Sequence, residues 1–427
     1  FYQNHIMEKA LFTHNKHWKE PYSGLYQRSI YSSLLGLLSL RQIQVLKGIR
    51  RSGKTTLFRL LINHLSVTVN PKSILYVNLD DPYFSDLYGN SKSLYSLLEL
   101  SEKVTGEPVQ YLFLDEVQNV EAWEKFVKAI YDNEVVKKIF VTGSNSSLLE
   151  GEYAKLLSGR YIETEVHAPT LAEILKVRGI GSRFDLLDRK VEALRVTDEI
   201  MEYGSFFEVL EEPEHKRSII LSYYDTIVFK DCIANNNLRD AKTFKEVTHF
   251  MITNSGSLYS YTSISKALGV NDGTVKEYIH VLEDSYICKE VRPYAFSLKE
   301  QIRSKKKVYV NDNGFLSQTS FKFSRNHGKT FENLVYTEFN KRGYEIYFHN
   351  KDFECDFICK KEDQLIAVQV CYELTPHNRQ REFGGLEKLK LKTDHKWLLT
   401  YNQSEALVNG IEVIAFWDLF SGFDERV

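Results

Sequence analysis

Gly48, Ile49, Arg50, Arg51, Ser52, Gly53, Lys54 and Thr55 form a loop bracketed by glycines and closed by a cation and a hydroxyl. The spacing is G-x-x-x-x-G-K-[ST], and its chemistry is the cradling of a nucleotide's phosphates. Glycines let the main chain turn its N–H groups onto an anion, and a helix starting at the loop adds its positive end. Lys54 then reaches the β and γ phosphates, and Thr55 offers its hydroxyl to Mg2+. Ser52 and Thr56 flank these contacts. Arg50 and Arg51 contact nucleotide, a partner, or neither.

A second set of residues supplies what hydrolysis needs. The apolar run Tyr111 to Leu114 is followed by Asp115 and Glu116. Asp115 is placed to hold Mg2+, through water, and Glu116 to orient or activate the attacking water. An adjacent glutamate points to hydrolysis of ATP rather than transfer of its phosphoryl group to a metabolite. Ser144 and Asn145 end a later apolar run. Either contacts the γ-phosphate or the attacking water, or both serve only as a capped turn. Arg160, between Gly159 and Tyr161, is a candidate for a γ-phosphate contact from a neighbouring subunit; an ordinary surface ion pair is the alternative.

These residues need a scaffold that brings them to one edge. Gln42 to Lys47, Ile74 to Leu79, Tyr111 to Leu114 and Ile139 to Thr142 read as short apolar strands, and each ends in polar residues. Helical spacing fills Thr55 to Leu65 and Trp123 to Tyr131. Apolar strands separated by helices predict a buried parallel sheet with helices on both faces, with ligands beyond the carboxyl ends of its strands. The fold class is therefore α/β, of the P-loop NTPase type.

The motifs carry a resemblance. Gly48 to Thr56, Leu112 to Gln118, Val141 to Leu149 and Ser158 to Tyr161 are similar to the prokaryotic AAA+-type ATPases of archaea and bacteria, in which a domain of unknown function follows the ATPase. The resemblance covers nearly the whole chain. It implies an ATPase sheet with an additional strand, Mg-ATP as ligand, Asp115 and Glu116 as the metal and water residues, and Arg160 as an arginine finger. It supplies no substrate or pathway.

Beyond the ATPase region, Leu171 to about Asn237 is mostly helical and reads as a connector or lid. Thr262 to Asn271 and Asp272 to Glu283 read as two helices joined by a turn at Gly269, and a strand starts at Ile287. This resembles a winged helix, whose second helix enters the DNA major groove in DNA-binding examples. That helix carries Asp272, Glu277, Glu283 and Asp284 against Lys276, a sign that repels phosphate. The nearest basic cluster is Arg303, Lys305, Lys306 and Lys307. DNA and a protein partner both remain open for this domain.

The last part resembles a restriction-endonuclease-like core. Asp356 fits the strand acid, Gln369 the next strand's acid-or-glutamine position, and Glu332 a helical acid. Cys371 stands where such nucleases carry lysine. A neutral thiol does not supply that charge, so a degenerate centre is expected, and ATP-gated nuclease action is the alternative. The expected division is 1–165 ATPase core, 166–240 connector, 241–322 winged helix and 323–427 nuclease-like domain.

Composition agrees with this outline. The 427 residues suit roughly two to four domains. A net charge of −2 gives no global field for nucleic acid or membrane. The five cysteines include no C-x-x-C pair, so reduced thiols in a cytoplasmic protein are expected. No run approaches the length of a membrane span, and Phe1 to Lys19 lacks a signal-peptide pattern. Expected partners are ATP and ADP, with DNA or protein at the C-terminal domains and a homo-oligomer as the source of a neighbour's Arg160.

Overall fold

Five short runs become parallel strands: β1 (Ile43–Lys47), β2 (Ile74–Asn78), β3 (Tyr111–Asp115), β4 (Lys138–Gly143) and β5 (Tyr161–Glu165). They lie in the order β2-β3-β4-β1-β5. In this computed structural model, residues 2–149, 152–295, 297–320, 327–351 and 353–427 are described. The chain divides into two compact units, 1–167 and 168–427.

Alternation along each strand of the first unit feeds two cores. Ile43, Val45, Leu112, Leu114, Ile139 and Val141 pack on the side of helices α1 (Tyr2–His14), α3 (Tyr95–Thr105) and α4 (Trp123–Asp132). Leu46, Tyr76, Phe113 and Phe140 face α2 (Lys54–Leu65) through its Leu57, Phe58, Leu61 and Ile62. Phe113 and Phe140 stack at 4.0 Å, and Phe58 meets Phe113 edge-on at 5.1 Å. Burial on both faces gives the central strands their continuous apolar runs. The fifth strand, β5, lacks that signature because it is a sheet edge, with its residues half-buried or exposed.

The second unit begins with α5 (Leu171–Val177) and α6 (Lys190–Tyr203). Thr170 caps α5 through a capping box with Glu173. After further helical turns at Phe207–Leu210, Lys216–Thr226 and Ile227–Ala234 come α7 (Ala241–Thr253), α8 (Tyr261–Leu268) and α9 (Asp272–Asp284), then the antiparallel pair β6 (Cys288–Val291) and β7 (Lys307–Val310). Gly269, at φ +69°, stops α8 and turns the chain into α9.

After α10 (His327–Lys341) follow β8 (Glu345–His349), β9 (Cys355–Lys361), β10 (Gln364–Cys371), α11 (Arg379–Lys388), β11 (His395–Thr400), β12 (Glu405–Val408) and β13 (Ile411–Ala415). The strands form a mixed sheet in the order β12-β13-β11-β10-β9-β8. β8, β9 and β10 are antiparallel, while β10, β11 and β13 are parallel. One sheet face packs on α10, α5 and α6 in a single core that includes Leu171, Ala193, Val196, Phe331, Phe357, Trp397 and Phe416. The other face packs on α11 through Phe383 and Leu386. All five cysteines are buried thiols. Among the described residues, no helix is long and apolar enough to cross a membrane.

Candidate functional site

Strand order puts the phosphate-loop residues and the acids at one edge. The registers Lys47 with Gly143 and Asn78 with Asp115 align the carboxyl ends of β1, β4, β2 and β3. The loop leaves β1 at Gly48, which has φ +151°. A Cβ there would lie 2.1 Å from the Val166 carbonyl oxygen, so only glycine fits. Gly53, at φ +96°, then starts α2. Replacing Gly48 by alanine is expected to destabilise the N-terminal unit by ~2 kcal/mol or more through combined backbone strain and overlap. Thermal denaturation checks this; an unchanged melting temperature would mean that the loop relaxes around the new methyl.

Lys54 is buried and folds back on its own loop, donating to the carbonyls of Gly48 (2.8 Å) and Ile49 (3.1 Å). Thr55 and Thr56 occupy the first turn of α2. The Thr55 hydroxyl donates to Asp115 Oδ2 at 2.6 Å. Asp115 is buried and also accepts from the hydroxyls of Tyr76 (2.9 Å) and Thr142. Burial, then the adjacent Glu116 charge, push its carboxyl above the ordinary range against those three donors. Burial and the Asp115 charge raise the Tyr76 phenol, so Tyr76 stays a neutral donor.

Glu116 takes a left-handed backbone, φ +58°, and its N–H donates to Thr142 Oγ1 at 2.9 Å. Its carboxylate accepts from Gln118 Nε2, which also reaches Ser144 Oγ at 3.3 Å. Among the described residues, the buried Ser52 Oγ, Gln118 Oε1 and Asn145 Oδ1 have no hydrogen-bond partner. Buried polar atoms are ordinarily satisfied, so three such atoms in the loop and strand-end segments fit a polar ligand. Thr55 and Asp115 together are a hard-oxygen set suited to Mg2+. Arg50 pairs with Asp80 at 3.6 Å, and Arg51 is exposed at φ +69°.

Arg160 lies elsewhere. Its carbonyl accepts from Ile43 N–H at the start of β1, and its guanidinium pairs with Asp132 at 2.8 Å. The phosphate loop leaves the other end of that strand, ~15 Å away. Arg160 therefore does not reach the chain's own loop.

Arg28 and Tyr76 carry no motif signal in the sequence. Arg28 is buried and braces the loop by donating to the carbonyls of Ser52 (2.8 Å) and His167 (3.0 Å). Tyr76, Thr142 and Gln118 join through strand neighbours. Thr142 was visible only as a hydroxyl ending an apolar strand, and Gln118 only as an amide two residues past Glu116.

In the second unit, α7, α8, α9 and the β6–β7 pair form a helical cluster with a two-stranded sheet, and Tyr259 makes a single isolated bridge to Lys306. The structure changes the charge argument. Glu283 is drawn inward, accepts from Glu290 N–H at 2.8 Å, and burial pushes its carboxyl up to about 7. Asp284 is buried, and Asp272 accepts from the Thr262 hydroxyl at 2.7 Å. The outward residues of α9 include Lys276, Glu277 and His280, close to neutral in sum. Lys306 and Lys307 are also buried, so only Arg303 and Lys305 of the basic cluster are exposed.

In the C-terminal sheet, Glu332 on α10 and Asp356 on β9 come together around Lys307 from β7. Gln369 and Cys371 do not complete that group. Gln369 donates to Glu382 on α11 at 3.0 Å, and the Cys371 thiol donates to the Glu373 carbonyl at 3.1 Å.

Residues 40–175 match the family described as an AAA domain, and residues 195–325 match a domain of unknown function, DUF8612. An uncharacterised protein of Haemophilus influenzae is 29% identical over 387 residues, covering 87% of this chain and 92% of its own. An uncharacterised protein of Methanocaldococcus jannaschii is 29% identical over 402 residues, covering 88% and 87%. Among solved structures, AMPPCP-bound DnaA from Aquifex aeolicus matches at TM-score 0.25 and 16% identity, covering 60% of this chain and 85% of that one. Cdc6p from Pyrobaculum aerophilum matches at TM-score 0.29 and 10% identity, covering 71% and 96%. The stretch similar to an AAA domain takes in the phosphate loop and Asp115, and the sheet of the first unit is parallel and five-stranded.

Proposed function

We propose that the chain is a Mg2+-dependent ATPase whose nucleotide state moves its C-terminal domains. The observation that carries this reading is the 2.6 Å contact between Thr55 and Asp115, made at the mouth of a glycine loop that contains Lys54. Gly48, Ser52 and Gly53 shape the loop around the phosphates, Lys54 contacts the β and γ groups, and Thr56, Arg50 and Arg51 line the approach. Thr55 and Asp115 hold the metal, which when bound offsets charge on the phosphates. Glu116 orients the attacking water, and Ser144 or Asn145 contacts the γ-phosphate. Gln118 holds the Glu116 carboxylate beside Ser144, so both ends of the reacting group are served by one strand edge.

In this reading residues 1–165 are the ATPase core, 166–240 a helical connector, 241–322 a winged helix and 323–427 a degenerate restriction-endonuclease-like domain. The near-neutral outward side of α9 favours protein over DNA as the winged helix's partner. Steady-state ATP hydrolysis, with and without Mg2+ and with and without duplex DNA, tests the reading. Turnover that needs Mg2+ supports it, and stimulation by DNA would restore nucleic acid as the partner. Tight ATP binding without turnover in any condition would make ATP a structural ligand.

Arg160 acts in trans in a homo-oligomer, because its own loop lies at the far end of β1. Arg160→Ala is expected to bind ATP as the wild type does and to hydrolyse it ~1,000-fold more slowly. Mixing it with Glu116→Gln protein should restore activity, since each supplies what the other lacks. Mixtures that stay inactive would count against a shared site.

A further inference from the structure

Lys307 begins β7, and the segment after β6 joins the edge of the C-terminal sheet. Tyr294 N–H donates to the Phe348 carbonyl (2.7 Å), and Phe348 N–H donates to the Arg292 carbonyl (3.2 Å). This docking sends Lys307 inward, where it is 3% exposed. Its Nζ lies 3.5 Å from Glu354 Oε1, 3.8 Å from Glu332 Oε1 and 4.0 Å from Asp356 Oδ1. These acids belong to α10, to β9 and to the residue just before it. Tyr309 OH donates to Glu332 Oε1 at 2.6 Å, and Val370 N–H donates to Asp356 Oδ2 at 2.9 Å.

Buried carboxylates are costly unless a cation offsets them. Burial, then the charge of Glu332, push the Asp356 carboxyl up to about 8 against the pull of Lys307. For Lys307, burial acts downward, but Glu332, Asp356 and Glu354 outweigh it and the net direction is up. All three acids stand within ion-pair reach of the Lys307 ammonium. Among the described residues, no three acid, histidine or cysteine groups gather at metal-binding spacing. Gln369 and Cys371 are engaged by α11 and the turn after β10.

We propose that Lys307 is the resident cation of this carboxylate centre: it fills the place between Glu332 and Asp356 that a divalent metal would otherwise take, and it fastens the β6–β7 pair to the sheet. The centre binds no metal and cuts no phosphodiester, whatever the first unit does with ATP. The lysine comes from a different part of the chain than the acids it pairs with, and it serves as a lock.

Equilibrium dialysis of the full chain against Mn2+ without nucleotide tests this. Wild type and Asp356→Asn should take up equal Mn2+. Lys307→Met should gain one Mn2+ per chain, and adding Asp356→Asn should remove it. Lys307→Met should also melt about 10 °C lower, since it leaves the Glu332 and Asp356 carboxyls without their buried cation. The neutral triple variant Lys307→Met, Glu332→Gln, Asp356→Asn should recover most of that loss, which keeps the idea testable where the single variant fails to fold. Mn2+ uptake by wild type that Asp356→Asn abolishes would overturn it. So would a Lys307→Met variant that melts like wild type and gains no Mn2+, or a triple variant that fails to recover.

Discussion

Glu116→Gln is expected to bind ATP with wild-type affinity and to hydrolyse it at least ~100-fold more slowly. The side chain keeps its length and shape, and its remaining oxygen still accepts from Gln118, as the carboxylate now does. The backbone is undisturbed, with the left-handed turn and the N–H bond to Thr142 intact. What disappears is the charge that pulls a proton from water, and general-base catalysis is worth ~100- to 10,000-fold. Asp115 does not substitute, because its two oxygens already accept from Thr55, Thr142 and Tyr76. Single-turnover hydrolysis alongside nucleotide binding reads the two effects apart. Turnover at the wild-type rate would move the base elsewhere, and a parallel loss of affinity would mean that Glu116 supports the fold of the site.

Lys54→Ala is expected to weaken ATP binding by roughly 100-fold or more, because charge-assisted bonds to phosphate contribute about 1.5–3 kcal/mol each and about two are lost. The ammonium is held by the carbonyls of Gly48 and Ile49. Phosphate oxygens compete with those carbonyls for the same three donors. Titration with a fluorescent ATP analogue measures the loss. The melting temperature serves as a control, because removing the lysine also frees two loop carbonyls. Unchanged affinity in a stable variant would place the phosphates elsewhere.

The phosphate loop was legible because its chemistry is local, with eight adjacent residues, a strand before them and a helix after. Asp115 was legible because a strand buried on both faces is apolar throughout, which makes the first acid conspicuous. Strand order was not legible, and the rest of the site depends on it. Tyr76 reaches Asp115 only because β2 lies beside β3, and Thr142 only because β4 lies on the other side. Arg28 reaches the loop from a segment with no motif. Charge signs misled for a related reason. Glu283 and Asp284 look like a repulsive surface in one dimension, yet the packing of α9 turns both inward. Lys306 and Lys307 look like a basic patch, yet strand pairing buries them.

The apolar core shared by α5, α6, α10 and the C-terminal sheet has a bearing on how the protein is made. Leu171, Ala193, Val196 and Ile200 leave the ribosome early, and the Trp397, Ile414, Phe416 and Phe420 that cover them come last. The N-terminal unit can close its cores once β5 and Val166 are made, since the residues of both cores lie within 1–167. The second unit cannot close until residues 414–420 have arrived, so its early helices wait with their apolar faces uncovered. Such a species is prone to association. The time between those two moments is the interval in which this chain most depends on cellular help.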